Sequence, residues 1–184
     1  AKPKTTKSKS VKKAPAKPVV GGTLNLLLDS PRFTHLDPAR VYLPRDRAFV
    51  TSFLYRTLVT YRQATGAKGT ELVPDLATNT GIVSKDGKTW SFKLRDGLAF
   101  HDGSPVTAKD VVATIKRWGD RIPTGKTLMS FTKEVVATGP ATFELRLAKP
   151  FGPVLAMLGN PENPLFITRE REASLAADQQ ITDP

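Results

Sequence analysis

Three short stretches carry residue types that could do chemistry. The first is "FHDG", where His101 and Asp102 stand side by side. A His hydrogen-bonded to an Asp is half of a catalytic dyad, and an imidazole with a carboxylate is half of a metal site. Adjacent side chains on an extended chain point opposite ways, so neighbours in sequence are poorly placed to act on each other. A zinc site needs three or four ligands at workable spacing, and the only other histidine is His35. No HExxH, paired HxH or GxSxG occurs, and the chain has no cysteine. The second stretch is "DRIPTGKT", whose Gly125-Lys126-Thr127 matches the end of a phosphate-binding loop. The first position of that motif holds Asp120, whose charge repels phosphate, and the segment follows a helical pattern where a buried strand is required. It reads as a solvated loop. The residues therefore assign no catalytic group and no metal ligand, and His101-Asp102 reads as part of a turn.

The third stretch is the amino terminus. Residues 1–20, "AKPKTTKSKSVKKAPAKPVV", hold seven lysines and no acid. The remaining residues hold 21 basic and 17 acidic side chains, so most of the net charge of +11 belongs to this arm. With nothing to bury, it is expected to be disordered. It could bind nucleic acid through counterion release or an anionic membrane surface, or serve as a plain spacer.

The elements that must position these residues begin at Gly21. "LNLLL" (24–28) is a short apolar run between glycines and Asp29-Ser30-Pro31, which reads as a buried strand. After a loop rich in Pro and Arg, Asp46 can cap a helix whose apolar positions are Phe49, Val50, Phe53, Leu54 and Leu58. "LVTY" (58–61) reads as a strand, "QATGAKGT" as a loop and "LVPDLAT" as a short connection broken by Pro. "IVSKDGKTWSFKLRDG" is a hairpin signal, with Asp86-Gly87 at the turn and Trp90, Phe92 and Leu94 on one face. Thr107 with Asp110 forms a capping-box pattern ahead of a helix with Val111, Val112, Ile115 and Trp118 on its apolar face. "TFELRL" alternates as a half-buried strand, and "PFGPVLAMLG" reads as a short helix with Pro153 in its first turn. At 184 residues, 39% hydrophobic and 24% charged, the chain can bury a core without staples, and no apolar run approaches the ~18 residues of a membrane span. The order of elements gives an α+β body.

Read together, "GGTLNLLLDSPRFTHLDPAR", "LYRTLVTY", "LVPDLATNTGIVSKDGKTWSFKLRDGLAFHDGSPVTAKDVVATIKRW" and "VVATGPATFELRLAKPFGPVLAMLGNP" resemble, in order, the amino-terminal part of the family 5 extracellular solute-binding proteins, the peptide-, oligopeptide- and nickel-type receptors of bacterial ABC importers. The likeness covers about residues 21–170. It is sharpest from Asp86 to Trp118, which follows the family pattern DG-x-T-aromatic-x-F-x-LR-x-G-x-x-F-HDG-x-P-V-T-A-x-DV.

The resemblance implies an α/β clamshell of the type II periplasmic-binding-protein class. It implies a tail at 1–20, the first strand and helix of the larger lobe at 21–60, an accessory hairpin-and-helix subdomain at 61–170, and a return toward the main lobe at 171–184. It implies a solute-binding component without enzymatic activity or cofactor, partnered by a small peptide or similar solute and by a membrane permease, monomeric, with no specific nucleic acid. It implies a periplasmic or extracellular place, with the lysine-rich arm where a tether would lie, a signal peptide already removed, and an amino-terminal fragment of a longer protein. In such receptors the loop after the first strand lines the cleft. Ser30, Arg32, Phe33 and Thr34 are thus the expected ligand contacts, with Arg32 offering a charge to a substrate carboxylate. The segment Thr127–Phe131, with Met129, is a second choice. The competing roles are a connecting loop, or Arg32 paired with Asp29 or Asp37. The rival class is a nucleic-acid-associated protein acting through the lysine arm.

Overall fold

The computed structural model describes residues 21–23, 25, 27, 37–41, 43–176 and 178–182. The chain divides into two compact units, Ala1–Pro31 and Arg32–Pro184. Of the first, the described residues are exposed and belong to no strand, and Leu27 is wholly exposed. The buried strand expected at 24–28 is not formed at Asn25 or Leu27. An apolar run becomes a buried strand only where a partner supplies the ladder, and no described strand pairs with it.

The second unit is built on an antiparallel sheet of four strands in the order β3-β4-β6-β5: β3 (Ile82–Val83), β4 (Thr89–Lys93), β5 (Thr132–Ala137) and β6 (Thr142–Leu147). The β3–β4 hairpin turns at Asp86-Gly87 as expected, with Gly87 at φ 69°, a conformation that glycine adopts without strain. Alternation places Phe92 and Leu94 of the β4 segment, and Phe143, Leu145 and Leu147 of β6, in the core. Phe92 and Phe143 face each other across the ladder with ring centroids 5.0 Å apart. A smaller ladder, β1 (Val59–Tyr61) with β2 (Leu72–Pro74), lies outside that sheet. The "LVP" stretch is therefore a strand, with Pro74 at its last position, where a missing N–H matters least.

Across the sheet lies α2 (Ala108–Arg121). Asp110 starts it, its Oδ2 accepting from the Thr107 backbone N–H at 2.8 Å and from the Thr107 hydroxyl at 2.7 Å. Val111, Ile115 and Trp118 are buried and Val112 is half-buried, which is the face that the three-and-four spacing requires. The shorter helices are α1 (Pro44–Phe49), α3 (Pro123–Phe131), α4 (Val154–Leu158) and α5 (Glu170–Ala173).

Two helical expectations change. α1 begins at Pro44, whose ring presets the first helical φ, so Asp46 is not the cap but a buried residue inside the first turn. The helix then widens into a π turn over Val50–Leu54, with the Tyr55 N–H donating to the Val50 carbonyl at 3.0 Å. The wider turn breaks the apolar stripe: Val50 is buried, Phe53 and Leu54 are exposed, and Leu58 is buried only after the helix has ended. The segment read as a solvated loop is α3. Pro123 opens it and Gly125, read from sequence as loop punctuation, is the point of helix contact. A Cβ on Gly125 would lie 2.4 Å from the Trp118 carbonyl oxygen, on backbone that cannot yield. Gly125→Ala is therefore expected to lower stability by about 1–3 kcal/mol, seen as a Tm drop of roughly 2–4 °C per kcal/mol for a chain of this size. An unchanged Tm would contradict this close crossing.

Candidate functional site

The loop expected to line a cleft, with Ser30, Arg32, Phe33 and Thr34, lies outside the described residues, as do Asp29 and His35. What the structure does place is Asp37, three residues beyond Thr34. Asp37 is fully buried and caps a short 3-10 turn, Pro38–Arg40. Its Oδ1 accepts from the Ala39 N–H at 2.9 Å. Its Oδ2 accepts from Arg117 Nη2 at 3.1 Å and from the Ile181 N–H at 3.0 Å. Arg117, on α2 and also buried, donates further to the carbonyls of Leu175 (3.0 Å) and Gln179 (2.9 Å). One ion pair thus joins the segment after the loop, the central helix and the segment 175–181. Buried charges persist only when paired and hydrogen-bonded, and both carboxylate oxygens are occupied here. Asp37, offered from sequence as a partner for Arg32, is engaged by Arg117.

His101-Asp102 lies in an exposed turn. The Asp102 carboxylate accepts from the Ser104 hydroxyl at 2.6 Å and the Ser104 N–H at 2.9 Å, and lies 3.0 Å from Arg169. The Ser104 bonds, followed by the Arg169 charge, hold its pKa down to about 2. A carboxylate so thoroughly committed to its ionised form is a poor proton acceptor at neutral pH. Arg169 stacks 5.2 Å over the Phe100 ring and pairs with Glu172 at 2.7 Å. Those Glu172 and Asp102 contacts raise the Arg169 pKa, with the Glu172 hydrogen bond first among them. The turn is a clasp that fastens the segment before α2 to α5. Asp110 adds a second clasp, since its Oδ1 accepts the Glu170 N–H at 2.7 Å while its Oδ2 caps α2.

Gly125-Lys126-Thr127 forms no phosphate cradle. The Lys126 N–H is spent on the Ile122 carbonyl at 2.8 Å, and the Thr127 hydroxyl donates to the Pro123 carbonyl at 3.1 Å. Met129, on the same helix, is half-buried and seats its side chain in the space that Gly119 of α2 leaves open. It is thereby placed in a helix–helix contact, while the loop residues expected to share the site with it lie outside the described residues. Sequence reasoning missed the role of Arg117, which lies 80 residues from Asp37. The only local signal was the Asp37-Pro38 pair, an Asx cap followed by a preset φ.

The profile of the bacterial extracellular solute-binding proteins, family 5, matches residues 71–182, more than half of the chain. The chain is 43% identical over 109 residues to a probable peptide ABC transporter periplasmic-binding protein of Sinorhizobium fredii, covering 59% of this chain and 20% of that protein. It is 35% identical over 127 residues to a probable D,D-dipeptide-binding periplasmic protein of Escherichia coli, covering 68% and 24%. Among solved structures it is similar to a binding protein in complex with agropinic acid from A. tumefaciens, with TM-score 0.65 and 29% identity over 83% of this chain and 30% of that one. It is also similar to clavulanic acid biosynthesis oligopeptide binding protein 2, with TM-score 0.64 and 28% identity over 78% and 29%. The chain spans about a fifth to a quarter of the length of these curated relatives.

The clasp makes a pH-dependent prediction. Asp102 has a folded pKa below its unfolded value, so its contribution is present above about pH 4 and is lost as pH falls toward 2. Thermal melts of the wild type and Asp102→Asn should differ most above pH 4, with the wild type more stable, and the two Tm values should converge as pH approaches 2. A gap that stays constant across that window would contradict the clasp.

Proposed function

The chain belongs to the bacterial extracellular solute-binding proteins of family 5, and from that premise we propose that it is part of the substrate-binding component of an ABC importer. It binds peptides or similar small solutes between two lobes, works outside the cytoplasmic membrane, and delivers its cargo to a membrane permease as a monomer. No step of this is catalytic: the protein acts by holding the solute, and transport energy comes from elsewhere. The observation that carries the reading is the ordered match of residues 71–182 to the family. The names of its relatives, a peptide-binding and a D,D-dipeptide-binding protein, favour a ligand with an amino-acid backbone.

Within this reading, residues 21–60 and 171–184 belong to the main lobe and 61–170 to an accessory subdomain, with residues 1–20 as a spacer that tethers the body. The loop 29–34 meets the solute. Ser30 and Thr34 supply hydroxyls, Phe33 an apolar wall, and Arg32 a fork for a carboxylate. The fully buried Asp37 just beyond that loop supports the assignment, because a contact loop needs a fixed root to present side chains in one geometry. Met129 enters as a more remote wall. The seven lysines of residues 1–20 favour a second reading, nucleic-acid association.

The test uses the receptor carrying both lobes, screened by thermal shift and calorimetry against defined dipeptides, tripeptides and opines. A ligand-specific rise in Tm is expected. Arg32→Ala should weaken a carboxylate-bearing ligand by roughly 10- to 100-fold, the worth of a charge-assisted hydrogen bond. Deleting residues 1–20 should leave this affinity unchanged. No shift across the panel, together with nucleic-acid retention that vanishes on deletion of 1–20, would replace the proposal with the second reading.

A further inference from the structure

Between α2 and α5 runs an open groove of about 460 Å³. That volume lies within the roughly 300–1,000 Å³ of small-molecule sites. It involves none of the residues assigned to the solute cleft. Its walls are the outer stripe of α2 from Lys109 to Arg121 on one side and α5 with residues 174–176 on the other, with Ala137 of β5 contributing to its surface. The twelve helical rises from Lys109 to Arg121 extend it to about 18 Å.

Lys109 and Lys116 recur seven residues apart on the same face of α2 and are exposed, and Arg121 lies at the far end. Among the described residues, none of the three takes part in an ion pair, whereas Arg117 deeper in the wall is neutralised by Asp37. Two acids, Asp120 and Glu170, also line the groove, so the cations are in excess. Between the charges lie Val112, Ala113 and Leu175, a short apolar strip.

We propose that this groove is a second binding site, for an elongated organic anion with carboxylate or phosphate ends and an apolar stem. The stem lies along Val112 and Leu175. One anionic end is met by Lys109 and the other by Lys116 and the guanidinium of Arg121, in the charge-assisted geometry that guanidinium and ammonium groups offer to oxyanions. Binding here is independent of the solute cleft.

Calorimetric titration of the two-lobed receptor with sodium suberate, a linear dicarboxylate, and separately with sodium pyrophosphate tests this, with sodium chloride at matched ionic strength as the blank. Saturable binding of suberate is expected, and pyrophosphate, which has charge but no apolar stem, should bind at least several-fold more weakly. Lys116→Gln/Arg121→Gln should weaken suberate binding by at least about tenfold, as loss of charge-assisted bonds requires. Val112→Trp, which fills the strip without changing charge, should do the same to suberate, and neither variant should alter the response to a cleft ligand. Absence of saturable binding beyond the chloride blank, or binding that survives both variants, would overturn the proposal. A receptor that fails to bind peptides in its cleft would leave this test unaffected.

Discussion

The buried pair of Asp37 and Arg117 is the constraint around which the second unit is organised. Two charges removed from water are tolerated only when they are paired and hydrogen-bonded, and here the Asp37 carboxylate and both terminal nitrogens of Arg117 are met, largely by backbone far away in sequence. Ile181, 144 residues from Asp37, gives its N–H to the same carboxylate oxygen that Arg117 holds. Arg117 in turn takes the carbonyls of Leu175 and Gln179. Such a pair adds little net stability over a well-packed apolar substitute, but removing one partner strands the other at a cost of several kcal/mol. It works as a device for specificity: the segment after the loop, the middle of α2 and the segment 175–181 have to arrive together.

The other polar contacts around α2 follow the same logic at lower stakes. Asp110 serves two helices at once, capping α2 with one oxygen and taking the first N–H of α5 with the other. Thr114, buried one turn later, accepts from the Thr168 N–H and donates to the Thr168 carbonyl, both at 3.1 Å. Asp102 and Arg169 close the same seam from the solvent side. In succession along α2, these contacts tie it to residues 168–181. The residues that looked most like chemistry, His101-Asp102, therefore belong to the seam.

The sequence showed clearly what is local and less of what is not. The hairpin at Asp86-Gly87, the Thr107–Asp110 box, the apolar face of α2 and the alternation of β6 all rest on spacings of two to four residues, and all formed as expected. α3 did not look like a helix, because Pro123 and Gly125 are usually punctuation; only the nearness of Trp118, a tertiary fact, turns Gly125 into a packing residue. The π turn after α1 likewise has no periodic signature, and it undid the stripe through Phe53 and Leu54. The Asp37–Arg117 pair was invisible because nothing in the sequence links positions 80 residues apart. Of the expected solute contacts, Met129 is half-buried against Gly119 and the four loop residues lie outside the described residues. The family, by contrast, was legible from ordered motifs, and the match over residues 71–182 agrees with it.

The most direct test of this account is a double-mutant cycle on Asp37→Ala and Arg117→Met, read by chemical denaturation. If the pair organises the three segments, each single change should destabilise the protein by about 3–5 kcal/mol. The double variant should then be only slightly worse than either alone, giving a coupling of about 2 kcal/mol or more. Single effects that simply add, with coupling below about 0.5 kcal/mol, would show that the two residues stabilise the fold independently and would contradict the account.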